Sequence, residues 1–232
     1  MNALELIAAA RREGRAALDE FAGKQLLAAY GIRVPQAVVI DGADEAVAAF
    51  AKLAPPLALK VMSPDILHKS DAGGVAVNLQ SPADAVQAIR RMMNTPAIRD
   101  ARIDSFLLEE MAPPGQEIVV GAVTDPQFGP LVMVGLGGVF VEVLADVSFR
   151  ICPITRLDAQ EMLAELKGAA LLAGARGRAP VSQEAIVDVL LRIGGADGLM
   201  MRHAADFKEA DINPLIVSET GAVAVDARFV LS

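Results

Sequence analysis

Residues 207–231 read FKEADINPLIVSETGAVAVDARFVL. Strand-like stretches flank Glu219-Thr220-Gly221, which predicts an antiparallel hairpin with arms Phe207 to Val217 and Ala222 to Leu231. Residues two apart on a strand share a face, so Asp211 and Asn213 project together, and the turn near Thr220 brings Asp226 roughly opposite Asn213. Three hard oxygen donors then converge with no sulfur or imidazole among them, a set suited to Mg²⁺ bridging nucleotide phosphates. Asp211-Ile212-Asn213-Pro214 would also serve simply to end a strand, since Asn and Pro are turn residues.

Working back from this hairpin, helix and strand patterns alternate. Asp19 is an N-cap candidate before a helix carrying Phe21, Leu26, Leu27 and Tyr30, which Gly31 and Pro35 stop ahead of a strand from Ala37 to Asp41. A second helix from about Ala43 carries Val47 and Phe50, and Pro55-Pro56 ends it before the buried-strand candidate Leu57 to Met62. Ser81-Pro82 opens a helix with Val86, Ile89 and Met93 on one face. These first 100 residues read as a small α/β unit. Beyond Arg102, Ser105 to Met111 and Glu117 to Thr124 read as a hairpin about Pro113-Pro114-Gly115, and the texture change near residues 100–105 is taken as the domain boundary. Strands at Gly129 to Gly137 and Val147 to Ile154 follow, then helices marked by Met162, Leu163 and Leu166 and by Ile186, Val189, Leu190 and Ile193.

Composition narrows the function. The 232 residues include 21 Lys+Arg against 29 Asp+Glu, a net charge of −8, with one tyrosine and no tryptophan, so neither a duplex-binding surface nor a stacking platform for nucleic acid is expected. The longest weakly polar run, Pro130 to Val141, has 12 residues and four Gly or Pro breaks, too short and broken to span a bilayer; a soluble chain without membrane contact is expected. Met1 to Glu13 shows no secretion signal, and the single Cys152 excludes an intramolecular disulfide, which fits a cytoplasmic setting.

Three further places could carry chemistry. Lys60 lies inside an apolar strand and must reach solvent from a sheet edge or meet a buried anion, for which a phosphate is suitable. Ser63 to Gly74 has turn formers at one end and a glycine pair at the other, the composition of a mobile loop. His68 stands at its centre, either as an exposed histidine without a role or as a nucleophile that becomes phosphorylated. Glu109, Glu110 and Glu117 would lie near one another on the expected hairpin and could hold a ribose or a base amino group, the register deciding which of the first two shares a face with Glu117. Gly135-Leu136-Gly137-Gly138-Val139-Phe140 has Phe140 where a dinucleotide fingerprint needs its last glycine. It reads as a tight turn whose glycines admit backbone close to a ligand or partner, not as a nicotinamide site.

Lys60, Ser63-Pro64-Asp65-Ile66-Leu67-His68-Lys69-Ser70-Asp71-Ala72-Gly73-Gly74-Val75, Asp125-Pro126-Gln127-Phe128-Gly129-Pro130, Gly135 to Gly138, Asp211 to Leu215 and Val225-Asp226-Ala227-Arg228, in this order, closely resemble the ATP-grasp subunit of ADP-forming acyl-CoA synthetases. The resemblance runs from about Asp19 to Leu231. It implies an α/β (α+β) ATP-grasp fold, with nucleotide held between two subdomains at residues 19–104 and 105–232 after a helical segment at residues 1–18. It also implies that Lys60 meets the ATP phosphates, that Glu109, Glu110, Met111, Glu117, Gly73 and Gly74 form the nucleotide pocket, and that Asn213 and Asp226 hold Mg²⁺. His68 matches a phosphorylatable histidine that rides a swinging loop in this family, with Asp211 steadying its phosphorylated form.

The implied reaction is reversible: acyl-CoA, ADP and phosphate give acid, ATP and CoA, with this chain performing the phosphoryl step to ADP. CoA and acyl sites would lie on an alpha subunit or domain. The residues leave room for a nucleotide-sensing module attached to a protein acetyltransferase, or for a carboxylate–amine ligase, in which the His68 loop would have no purpose. Arg176-Gly177 could be structural or contact nucleotide.

Overall fold

Asn2, Asp19, Ser81, Thr155 and Ser182 each accept a hydrogen bond from the backbone N–H three residues ahead, satisfying a donor that the first helical turn leaves open. They start α1 (Ala3–Arg12), α2 (Glu20–Ala29), α4 (Pro82–Asn94), α6 (Arg156–Glu165) and α7 (Gln183–Gly194); the shorter α3 (Ala46–Phe50), α5 (Pro96–Arg99) and α8 (Leu199–Arg202) complete the labelled helices. The computed structural model describes residues 2–66, 68–138, 141, 144–175 and 179–232. Leu67, Val139, Phe140, Arg176 and Gly177, named in the motifs above, lie outside the described residues.

The chain forms two compact units, residues 1–34 with 113–232 and residues 35–112. This differs from the boundary expected at 104/105, and the reason is β4 (Ser105–Glu110). It lies between β1 (Ala37–Ile40) and β2 (Leu57–Met62), with β3 (Val75–Leu79) beyond, in an antiparallel sheet of order β1-β4-β2-β3. Phe106 and Leu108 therefore join Ile40, Leu57, Leu59 and Val61 in the core of the smaller unit, beneath α3 and α4. On α4 the core takes Ile89 and Met92, whereas Met93 is exposed, as is Val47 on α3.

The expected hairpin between Ser105 to Met111 and Glu117 to Thr124 does not form. Pro113 and Pro114 lack amide donors and link two strands that pair elsewhere. β5 (Gln116–Asp125) instead pairs with β6 (Gly129–Leu136) and with β8 (Phe207–Ser218). The sheet of the larger unit runs β10-β8-β5-β6-β7, with β7 at Val147–Ile151 and β10 at Arg228–Leu231, and β9 (Gly221–Ala224) also pairs with β8. Ile118, Val120, Val132, Val134, Ile212, Leu215 and Phe229 fill one face, packed with the apolar sides of α1, α2, α6 and α7. The first 18 residues belong to this unit rather than forming a separate segment: Leu6, Ile7 and Ala10 enter its core, and Leu18 N donates to Phe229 O at 2.9 Å. No helix among the described residues is long and apolar enough to cross a membrane.

Candidate functional site

In the larger unit the expected C-terminal hairpin forms. Ser218 pairs with Gly221 across Glu219-Thr220, and the register continues through Leu215 with Ala224 and Asp211 with Arg228. Continuation of that register sets Asn213 against Asp226, which lies in the short unpaired stretch between β9 and β10. Asp226 Oδ1 accepts from Ala227 N at 2.8 Å, and Val225 N donates to Pro214 O at 3.0 Å, so the stretch is fastened on both sides of the carboxylate. Gly121 of β5 pairs with Asp211 and Val123 with Glu209, putting Glu209, Asp211 and Asn213 on the sheet face opposite the helices. A hollow of about 150 Å³ lies on this face, lined among others by Gly121, Met133, Phe149, Glu209 and Asp211.

Burial first, then the carboxylates of Asp226 and Glu209, push the Asp211 carboxyl up to about 6, with Arg228 opposing. Carboxylates that repel one another beside an amide oxygen favour a hard cation. Among the described residues no three His, Cys, Asp or Glu side chains form a metal cage. Asn213 and Asp226 offer one amide and one carboxylate oxygen on this face, donors of the hard kind that Mg²⁺ takes. Glu209 was missed in the sequence reading although its signal, two residues before Asp211 on the same strand, was available.

The raised Asp211 value fixes a sign. Its folded pKa lies above that of an unfolded aspartate, near 3.9, so the folded state is penalised above pH 6 and the penalty fades as pH falls towards 4. Without nucleotide or Mg²⁺, Asp211→Asn is expected to raise the denaturation midpoint at pH 7.5, and urea titrations should show the gain shrinking at pH 5. A gain independent of pH would contradict this.

Glu117 is the second residue of β5 and is exposed. Gly137 N donates to Glu117 O at 2.8 Å, and a Cβ on Gly137 would stand 2.8 Å from Glu117 Cβ. The backbone that Gly137 admits is that of Glu117, while Gly135 stands against the Asp146 carbonyl. Glu117 shares this unit with Asp211, Asn213 and Asp226, and Glu109 and Glu110 do not; the expected hairpin that gathered the three glutamates is therefore replaced.

In the smaller unit, Ala58 pairs with Glu109 and Lys60 with Leu107, so Lys60 and Glu109 share the sheet face opposite the apolar core. Lys60 Nζ lies 2.9 Å from Glu109 Oε1, with the two side chains 7% and 1% exposed. Lys60 has therefore met a buried anion rather than snorkelled from an edge. The Glu110 carboxylate points the other way and accepts from Ala54 N at 2.9 Å, while Met111 N donates to Pro56 O and Met111 Sδ lies 3.2 Å from Asn78 N.

His68 is exposed within the Ser63 to Gly74 loop. Gly74 N donates to Lys69 O at 2.7 Å, Val61 N to Gly74 O at 2.8 Å, and Gly73 has φ +73°. Gly73 and Gly74 thus serve the backbone at the loop's base. A methyl at residue 74 would overlap Val61 Cγ1 and lie 3.1 Å from Lys69 O. Gly74→Ala is expected to lower stability by about 1–3 kcal/mol through overpacking and to leave nucleotide affinity of the folded protein unchanged; calorimetry of unfolding and of binding reads the two separately.

An antiparallel two-sheet α/β chain carrying an acidic, oxygen-rich sheet face and a buried lysine defines a class, and residues 9–231 match the family model described as an ATP-grasp domain. The chain is 43% identical to the "Acetate--CoA ligase [ADP-forming] I subunit beta" of Pyrococcus furiosus, over 99% of this chain and 98% of that protein. It superposes with TM-score 0.93 and 41% identity on a dinucleotide-forming acetyl-coenzyme A synthetase 1 of Ca. Korarchaeum cryptofilum, solved with coenzyme A, Ca-AMPCP and HgCl⁺, over 98% and 99% of the two chains. A second structure of that synthetase, with coenzyme A and Mg-AMPPCP and its phosphohistidine segment pointing towards the nucleotide-binding site, matches at TM-score 0.84 and 41% identity over the same shares. The chain belongs to the ATP-grasp family of ADP-forming acetate–CoA ligase beta subunits.

Proposed function

We propose that this chain is the nucleotide-binding subunit of an ADP-forming acyl-CoA synthetase and transfers phosphoryl between His68 and ADP. The observation that carries this reading is the exposed His68 on a loop fastened at its base, in a chain that also bears the Asp211, Asn213 and Asp226 face. Written towards phosphohistidine, an imidazole nitrogen of His68 forms a bond to the γ-phosphorus of ATP as the bond to the bridging oxygen breaks, and ADP leaves. The reverse step returns the phosphoryl to ADP and frees the imidazole.

Such a transfer needs in-line positioning and charge neutralisation more than covalent help from the protein. Lys60 supplies a cation for the phosphates, already desolvated in its buried setting, and Glu109 fixes where that cation stands. Asn213 and Asp226 would hold Mg²⁺, which neutralises phosphate charge when bound. Asp211 accepts a proton or hydrogen bond near neutral pH, which suits it to steady the phosphorylated imidazole. Glu117 is placed to accept from ribose hydroxyls or a base amino group. Coenzyme A and the acyl group would be handled by a CoA-binding alpha subunit or domain; the beta-subunit naming of the Pyrococcus relative supports that arrangement. A cytoplasmic setting fits the single buried Cys152 thiol.

The test is incubation of the purified chain with γ-labelled ATP and Mg²⁺, with and without a CoA-binding partner. Acid-labile, base-stable label that maps to His68, with ADP released in equal amount, is the expected result. Nucleotide binding without label in either condition would reject phosphoryl transfer and favour the nucleotide-sensing reading.

A further inference from the structure

The loop that carries His68 is fastened on its N-terminal limb as well as at its base. Ile66 is buried in the core of the smaller unit, and Asp104 N donates to Met62 O at 2.9 Å. Between them, Asp65 Oδ2 accepts from the backbone N–H of Arg102 at 2.8 Å, while Asp65 N donates to Ser63 Oγ at 3.1 Å. Arg102 lies in the connection from α5 to β4, 37 residues along the chain. On the C-terminal limb, Ala72 N donates to His68 O at 3.2 Å and Gly73 N to Ser70 O at 3.1 Å, ahead of the Gly74–Lys69 bond.

We infer that Asp65 is a positioning residue for His68: its carboxylate latches the loop to the Arg102 amide and so sets where the imidazole stands when phosphoryl is transferred. The inference rests on the phosphohistidine reading and deepens it. Phosphoryl transfer is sensitive to small misplacement of the nucleophile, so a loop released on one limb loses rate without losing nucleotide. The latch needs an acceptor at residue 65 and no negative charge, which separates it from a general electrostatic role.

The experiment compares the full chain with Asp65→Ala and Asp65→Asn by two readouts. Hydrogen exchange at the Arg102 amide, without nucleotide, is expected to quicken about tenfold or more in Asp65→Ala and to stay near wild type in Asp65→Asn, whose amide oxygen still accepts. Labelling of His68 by γ-labelled ATP is expected to slow by about tenfold in Asp65→Ala at unchanged nucleotide affinity and unfolding midpoint, with Asn restoring the rate. Unchanged exchange in Asp65→Ala would overturn the latch. Unchanged labelling there, or Asn behaving as Ala, would overturn the positioning role while the phosphohistidine reading stands. Absence of label on His68 in wild type would remove that reading, and the positioning role with it.

Discussion

Lys60→Met is expected to abolish phosphoryl transfer and to unfold the protein at markedly lower denaturant. The methionine keeps most of the lysine's length and volume and removes its charge. Lys60 and Glu109 face each other at 2.9 Å, with the glutamate 1% exposed, so the substitution leaves a carboxylate buried without that cation. Breaking a buried pair from one side costs about 3–5 kcal/mol, whereas replacing both partners by apolar groups is often neutral. The double variant Lys60→Met/Glu109→Leu should therefore recover most of the lost stability in urea titrations while remaining inactive in the labelling assay. Recovery of activity with stability would show that Lys60 serves the fold alone. A single variant as stable as wild type would show that Glu109 is readily solvated or neutralised in its absence.

Asp226→Ala should reduce the Mg²⁺-dependent labelling of His68 by about 10²–10³-fold, the range seen when one preorganised charge-stabilising group is lost. The stretch carrying Asp226 is tied to Pro214 through Val225 N and flanked by the paired strands β9 and β10, so loss of the side chain, and with it the Ala227 N bond, leaves the sheet register intact. Calorimetric titration of nucleotide with and without Mg²⁺ identifies the cause: the metal should strengthen nucleotide binding to wild type and have little effect on Asp226→Ala. His68→Ala is the complementary control. It should form no acid-labile label yet keep the full Mg²⁺ enhancement of nucleotide binding, which separates the carrier from the metal-holding face. An Asp226→Ala protein that labels at the wild-type rate would remove Asp226 from the site.

Much of this arrangement was legible because it is local. Cap residues set helix starts at Asp19 and Ser81, and two strand-like stretches adjoining across Glu219-Thr220-Gly221 determined their own hairpin, hence the meeting of Asn213 with Asp226. Period-two arithmetic applies wherever a strand and its partner adjoin in sequence. The His68 loop announced itself by glycines and turn formers for the same reason. For Lys60 the chemistry of a charge within an apolar strand left two outcomes, solvent or a buried anion, and the Glu109 carboxylate of β4 decided it.

Strand partnership across sequence distance was decided only by the tertiary structure. Ser105 to Glu110 and Gln116 to Asp125 both read as strands and adjoin across Pro113-Pro114-Gly115, so sequence alone pairs them; burial of Phe106 and Leu108 in one core and of Ile118 and Val120 in another sends them to different sheets. Glu109 thereby becomes the partner of Lys60 and not of Glu117. The Asp65 latch to the Arg102 amide is equally invisible in sequence, because a backbone donor carries no residue-type signature. The residues determine which groups need a partner, and the free energy of filling two separate cores determines which partner each receives.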